Sequence, residues 1–243
     1  MAVDYERSLK RAWNYTNDPK RFGFFLLLII LTGLLFFAPY FGGMYRYYSG
    51  NVNIAANAIS MILLILAQAL VSGLIIHNFR FPKSLDRNIT EIKKYYLNLV
   101  LSVIIIAGLS LLSLMLFAIP VFGLFVGIAL IFLISLIFFF IKQDIVLKKF
   151  NVEKAMAEGW KRFNKDFLTI FVSFILVVVI TVVIVLVSAI PMILLIASMI
   201  TVVPTAAFAV LVLTSIISLT LGVTLAALLG SALITDIYLQ LKK

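Results

Sequence analysis

Residues 97–141 form a stretch of 45 residues without one Asp, Glu, Lys, Arg or His. A helix crosses the hydrocarbon core of a bilayer in about 20 residues, so this run is too long for one crossing. It contains Ala118-Ile119-Pro120-Val121-Phe122-Gly123, and proline removes a backbone donor and disfavours helix in the residue before it. The run therefore divides into two spans at that point. Phe22–Tyr40 and Ile54–Ile76 are each one crossing long. The apolar region from Phe167 to about Leu239 is interrupted by Pro191 and Pro204. It reads as spans over 167–190 and 206–237, joined by an apolar connector over 191–205, with a re-entrant half-helix over 191–204 as the alternative. The expected fold class is thus all-α: a polytopic membrane protein with six transmembrane helices in one integral membrane domain, 1–243.

Composition agrees. Hydrophobic residues make up 64% of the chain and charged residues 12%, against roughly 45–50% and about 25% in soluble domains. The formal net charge of +10 raises nucleic acid as a partner. No nucleic acid is expected, because the cations fall between apolar runs, where topology and lipid headgroups account for them. Of the 20 Lys and Arg, 19 lie on one side of the predicted spans and only Arg46 on the other. The positive-inside rule then places both termini in the cytoplasm and the protein in the cell membrane.

The chain also repeats itself. Tyr5, Leu9, Ala12, Trp13 and Thr16 recur at helical spacing ahead of span 1. Leu85, Ile89, Ile92 and Tyr96 do so ahead of span 3, and Val152, Met156, Gly159, Trp160 and Phe163 ahead of span 5. Each set alternates with mixed charge, the pattern of an amphipathic helix on a membrane surface. The odd spans end in Ala-Pro or Ala-Ile-Pro, and the even spans close on His77-Asn78, Gln143-Asp144 and Thr235-Asp236. Three landmarks in the same order predict three parallel two-helix repeats, approximately 1–80, 81–147 and 148–243. Each is preceded by a cytoplasmic amphipathic interfacial helix. Trp13, Tyr96 and Trp160 are then interfacial anchors.

Small residues let membrane helices approach closely. Ser218, Gly222, Ala226 and Gly230 form such a ridge on span 6, with a dimer face as its alternative role, and Gly123 and Gly127 do the same on span 4. Even spans are expected inside, odd spans towards lipid. Gln68 is the most polar residue at depth, and Asn78, Asp144 and Asp236 fall at matching span ends. These four form the candidate polar pathway or cytoplasmic mouth. Against it stands a bland reading: Gln68 bonding a neighbouring helix, and the three span ends solvated, with Lys142 or Lys148 as partners.

No enzyme is expected. The chain has no cysteine and one histidine, which excludes thiol chemistry and multi-His metal sites, and no phosphate loop or hydrolase motif is present. No cofactor or metal is implied. The expected partners are membrane lipids and a membrane-protein partner or homo-oligomer, which makes an accessory or scaffold protein the first functional reading. A permease or lipid-transporting protein for a small apolar or lipid substrate is the second.

The segments AWNY at 12–15 and EGWKRF at 158–163, the Pro-containing hairpin turns and the closing TDIYLQLKK carry a resemblance. They are similar to a diffuse family of uncharacterised six-helix prokaryotic membrane proteins, which includes the membrane domain found ahead of some glycerophosphodiester phosphodiesterases. That family ends in an aromatic-Asp-Leu-basic pattern, whereas here Asp236 precedes Tyr238. The resemblance covers nearly the whole chain and implies the six-helix fold. It supplies no catalytic residues.

Overall fold

A computed structural model describes residues 3–41, 54–82, 85–119, 122–198 and 205–241. Arg46 and Pro120 lie outside them. All regular structure among the described residues is helical. In chain order the helices are α1 (Tyr5–Thr16), α2 (Pro19–Phe41), α3 (Ile54–Arg80), α4 (Leu85–Lys93), α5 (Tyr96–Met115), α6 (Phe122–Ile137), α7 (Ile141–Lys148), α8 (Val152–Ser188), α9 (Ile190–Ser198) and α10 (Thr205–Leu241). Among the described residues, six segments are long and apolar enough to cross a membrane. They are α2, α3, α5, α6 continued by α7, α8 and α10, so the chain is a multi-pass membrane protein.

Local chemistry explains the boundaries. Asp4 caps α1 by accepting from Arg7 N at 2.9 Å. Asp18 accepts from the amides of Lys20 and Arg21, with Pro19 at the first helical position, where its missing donor costs nothing. Asn151 caps α8. The long apolar run does break where expected: α5 tightens into a 3-10 turn at Leu116–Ala118, and α6 begins at Phe122.

Two expectations are revised. The connector over 191–205 is not a plain loop, because Ile190–Ser198 is helical and packs on α8 and α10. A helix satisfies its own backbone groups, which an apolar environment favours. The helix ahead of span 5 is not separate either. It continues into the span as α8, with a kink at Asp166 (φ −123°, ψ 33°).

Burial is graded along the molecule. Residues 71–78 of α3 are all buried, as are most of 136–146 and 226–238. These are the ends of the even spans that carry the basic loops, and they supply most of the core. Phe25, Leu99, Val100, Ile170 and Val177 of the odd spans pack around them. Towards the far ends the side chains turn outward, as with Ile59, Met61 and Ile62, Phe125 and Ile128, and Leu213 and Ile217.

Close packing uses the small residues. A side chain at Gly222 would collide with Ser188 of α8, and one at Gly123 with the Leu116 carbonyl. Gly127 admits the Phe117 ring. Ser218 Oγ donates to the Ser188 carbonyl at 2.8 Å, Ala226 is buried, and Gly230 faces Thr181. The span 6 ridge is therefore occupied within the chain, by span 5, and is not a free dimer face.

Candidate functional site

Three polar clasps hold the basic end of the bundle together. Each joins the end of an even span to a charged helix outside the apolar core.

The strongest is built on Asp144, at the start of α7, which has no exposed surface. Arg162 of α8 grips it with two parallel bonds, Nη1 to Oδ2 and Nη2 to Oδ1, both 3.0 Å. Tyr238 of α10 donates its hydroxyl to Oδ1 at 2.7 Å, and Lys148 Nζ lies 3.5 Å from the same oxygen. A buried carboxylate is costly unless it is paired and fully hydrogen-bonded. Here the forked guanidinium and the phenol meet that condition. Lys148 also reaches Glu158 at 3.4 Å, which extends the network to α8's exposed face.

Asp236 of α10 is equally enclosed. It accepts from Ser8 Oγ at 2.9 Å and Arg11 Nη1 at 2.7 Å, both on α1, and from Gln240 Nε2 at 3.0 Å. Gln240 Oε1 in turn accepts from Asp4 N at 2.8 Å. The first helix is thus tied to the last.

At the end of α3, Asn78 Oδ1 accepts from Tyr15 Oη at 3.1 Å and Arg21 Nε at 3.0 Å. Arg21 also stacks over the Tyr15 ring, 4.1 Å from its centroid, and donates to the Tyr15 carbonyl. Burial pushes the Tyr15 phenol above its ordinary value, with Arg21 opposing the rise and Asp18 adding to it. Next door, His77 Nδ1 meets Asn88 Oδ1 of α4 at 2.6 Å. A carbonyl oxygen only accepts, so Nδ1 carries the proton in this arrangement.

Asn78, Asp144 and Asp236 are therefore neither solvated helix ends nor an open ring. They are buried and spoken for. Lys148 is a partner of Asp144, as the simpler reading has it, whereas Lys142 makes no ion pair among the described residues. Gln68 is not brought to these three. It sits near the middle of α3 with its side chain exposed, and its amide has no hydrogen-bond partner among the described residues. It shares that outward face with Asn57, Met61 and Leu64, all exposed, at spacings of four, three and four residues.

Trp13 and Trp160 are about half exposed, at 49% and 53%. Leu9 is exposed with Trp13, while α1 buries Ser8, Ala12, Tyr15 and Thr16 against the bundle. The buried face is thus rotated from the predicted stripe, because Ser8 and Tyr15 dock through hydrogen bonds rather than through apolar area. Tyr96 is half-buried, and its hydroxyl donates to the Leu66 carbonyl at 2.8 Å, which links spans 2 and 3.

The residues that the sequence pattern misses are the cationic halves of the clasps, Arg11, Arg21 and Arg162, with Ser8 and Tyr238. One signal was available: Tyr15 and Arg162 both stand two places after a tryptophan, and both grip the end of an even span. Among the described residues no cluster of His, Asp and Glu could hold a metal ion. Comparison of the chain with protein-family models, with curated proteins and with solved structures gave no match.

Proposed function

We propose that this chain is a non-enzymatic accessory protein of the cell membrane, which docks a partner helix within the bilayer. The exposed amide of Gln68 carries the reading. It lies about 18 Å along α3 from Arg80 at 1.5 Å per residue, within a segment long and apolar enough to cross a membrane. An amide with no partner in an apolar solvent costs several kcal/mol. A second membrane helix offering a donor and an acceptor relieves that cost, and interhelical bonds of this kind are worth about 1 kcal/mol. Met61 and Leu64 on the same face supply the packing.

The absence of cysteine makes the test clean. Leu64→Cys carrying a thiol-attached photo-cross-linker is expected to form a protein adduct in native membranes, and Leu213→Cys, exposed on α10, is not. Adding Gln68→Leu should lower the yield. A labelled Leu64→Cys chain that stays free of protein adduct on illumination sinks the proposal.

The same reading includes a cytoplasmic basic face and a threefold repeat. Three contacts at this end support the repeat, because their order is cyclic, while the clasp of Asn78 with Tyr15 and Arg21 lies outside that order. The end of span 2 meets the helix ahead of span 3 (His77–Asn88), and the end of span 4 meets the helix ahead of span 5 (Asp144–Arg162). The end of span 6 meets the helix ahead of span 1 (Asp236–Arg11).

A second reading, movement of a lipid or small apolar solute, is favoured by one feature. A cleft of about 600 Å³ opens to the bilayer between α2 and α10, walled by Leu26, Ile30, Leu34, Ile216, Leu219 and Val223. Scrambling of labelled lipid in reconstituted vesicles tests it, and rates equal to empty vesicles remove it.

A further inference from the structure

Two basic cavities open on the end of the bundle that carries the clasps, and they differ in how far their charge is already spent. The first is lined by Lys148, Lys161, Arg162 and Lys165. Its best-placed cations are committed, Arg162 and Lys148 to Asp144 and Lys148 also to Glu158. The second measures about 500 Å³ and is formed where α1, α3, α7 and α10 converge. Three arginines line it, Arg7, Arg11 and Arg80, with Asp236 as the one carboxylate. Asp236 is neutralised by Arg11 at 2.7 Å. Arg7 and Arg80 have no carboxylate partner among the described residues, so the cavity keeps an excess of two positive charges.

We infer that this three-arginine cavity binds a phosphate group, either on the headgroup of an anionic lipid or on a free solute. Guanidinium groups present paired N–H donors in a plane that matches phosphate oxygens, and they stay charged at every physiological pH. Here they converge from two helices, Arg7 and Arg11 one turn apart on α1 and Arg80 at the end of α3. Docking of α1 on Asp236 is what brings the two sides together. Phe81, Leu147 and Leu239 line the remainder of the cavity and give an acyl-glycerol backbone an apolar surface. The site is separate from the Gln68 face and stands or falls independently of a partner there.

The test uses the full chain, purified in phosphate-free detergent and stripped of lipid. Native mass spectrometry and the thermal midpoint are read with inorganic phosphate, with dioctanoyl phosphatidate, and with dioctanoylglycerol as the phosphate-free control. Retention of phosphatidate but not dioctanoylglycerol or inorganic phosphate assigns the site to a lipid headgroup. Stabilisation by inorganic phosphate assigns it to a free solute. Arg80→Gln should weaken the bound probe about tenfold, and Arg7→Gln with Arg80→Gln about a hundredfold. Both side chains are exposed and make no ion pair among the described residues, so the unliganded midpoint should not move. If it does, Arg80→Gln alone decides. Binding of neither phosphate probe, or affinity in the double variant within about twofold of the parent, overturns the inference.

Discussion

Replacing Arg162 by Met isolates what the Asp144 clasp contributes. The substitution keeps most of the aliphatic volume and removes both guanidinium bonds, leaving a fully enclosed carboxylate with Tyr238 and the more distant Lys148. Breaking a buried pair from one side costs about 3–5 kcal/mol, because the other charge stays buried. Lys148 moves this case to the lower end, about 3 kcal/mol. The companion variant carries Arg162→Met, Asp144→Leu and Tyr238→Phe together, so that no polar group of the clasp is left unpaired. Apolar replacement of a whole buried pair is often neutral, and recovery to within about 1 kcal/mol of the parent is expected. Both are measured by unfolding in mixed micelles, followed by helical circular dichroism. A single variant within about 0.5 kcal/mol of the parent refutes the reasoning, since exposed ion pairs are worth that little. A triple variant as unstable as the single one refutes it too, by showing that the shape of Arg162 matters and not its charge.

Three further outcomes are expected. Tyr15, whose phenol is raised above the ordinary value of 10.0, stays neutral in the fold where an unfolded tyrosine ionises, so stability falls as pH climbs past about 10. Tyr15→Phe should flatten that alkaline decline in thermal midpoint at a cost of about 1 kcal/mol at neutral pH from the lost bond to Asn78; an unchanged slope counts against the assignment. Gly222→Leu should destabilise by about 1–3 kcal/mol through overpacking against Ser188, read by unfolding in the same micelles, and a neutral result means that α8 and α10 separate freely there. Trp13 and Trp160 should be quenched more by shallow, headgroup-level probes than by deep ones, and equal quenching by deep probes contradicts the interfacial placement.

What could be read from the sequence follows a physical divide. Apolar length and proline positions are local, so five of the six spans begin within a few residues of where the pattern puts them. The exception is span 5, whose helix already begins at Val152, and the end of α3 is instructive in another way. The hydropathy pattern stops at Ile76, yet the helix runs to Arg80. His77 and Asn78 can stay in a buried helix because α1, α2 and α4 bring them partners from elsewhere in the chain. For the same reason Asp144 and Asp236 resemble solvent-facing helix ends in isolation. Their burial depends on Arg162 and on Ser8 and Arg11, and no spacing rule names a partner 228 residues away. Gln68 shows the opposite limit. A polar residue at depth suggests an internal bond, and only the three-dimensional packing reveals that its face has been left outward.

The bond between α1 and α10 also sets an order of events during synthesis. Ser8 and Arg11 are made near the beginning, and the carboxylate that receives them comes after five of the six crossings. Until then α1 is held to the bundle at its Tyr15 end by Asn78, and the natural resting place for its first turns is the bilayer surface. Its docking is a late, long-range step of the kind that slows folding. A nascent chain stopped before residue 236 should therefore leave α1 open to protease, and elongation past Gln240 should close it. Completion of the last helix thus becomes the signal that the first one reads.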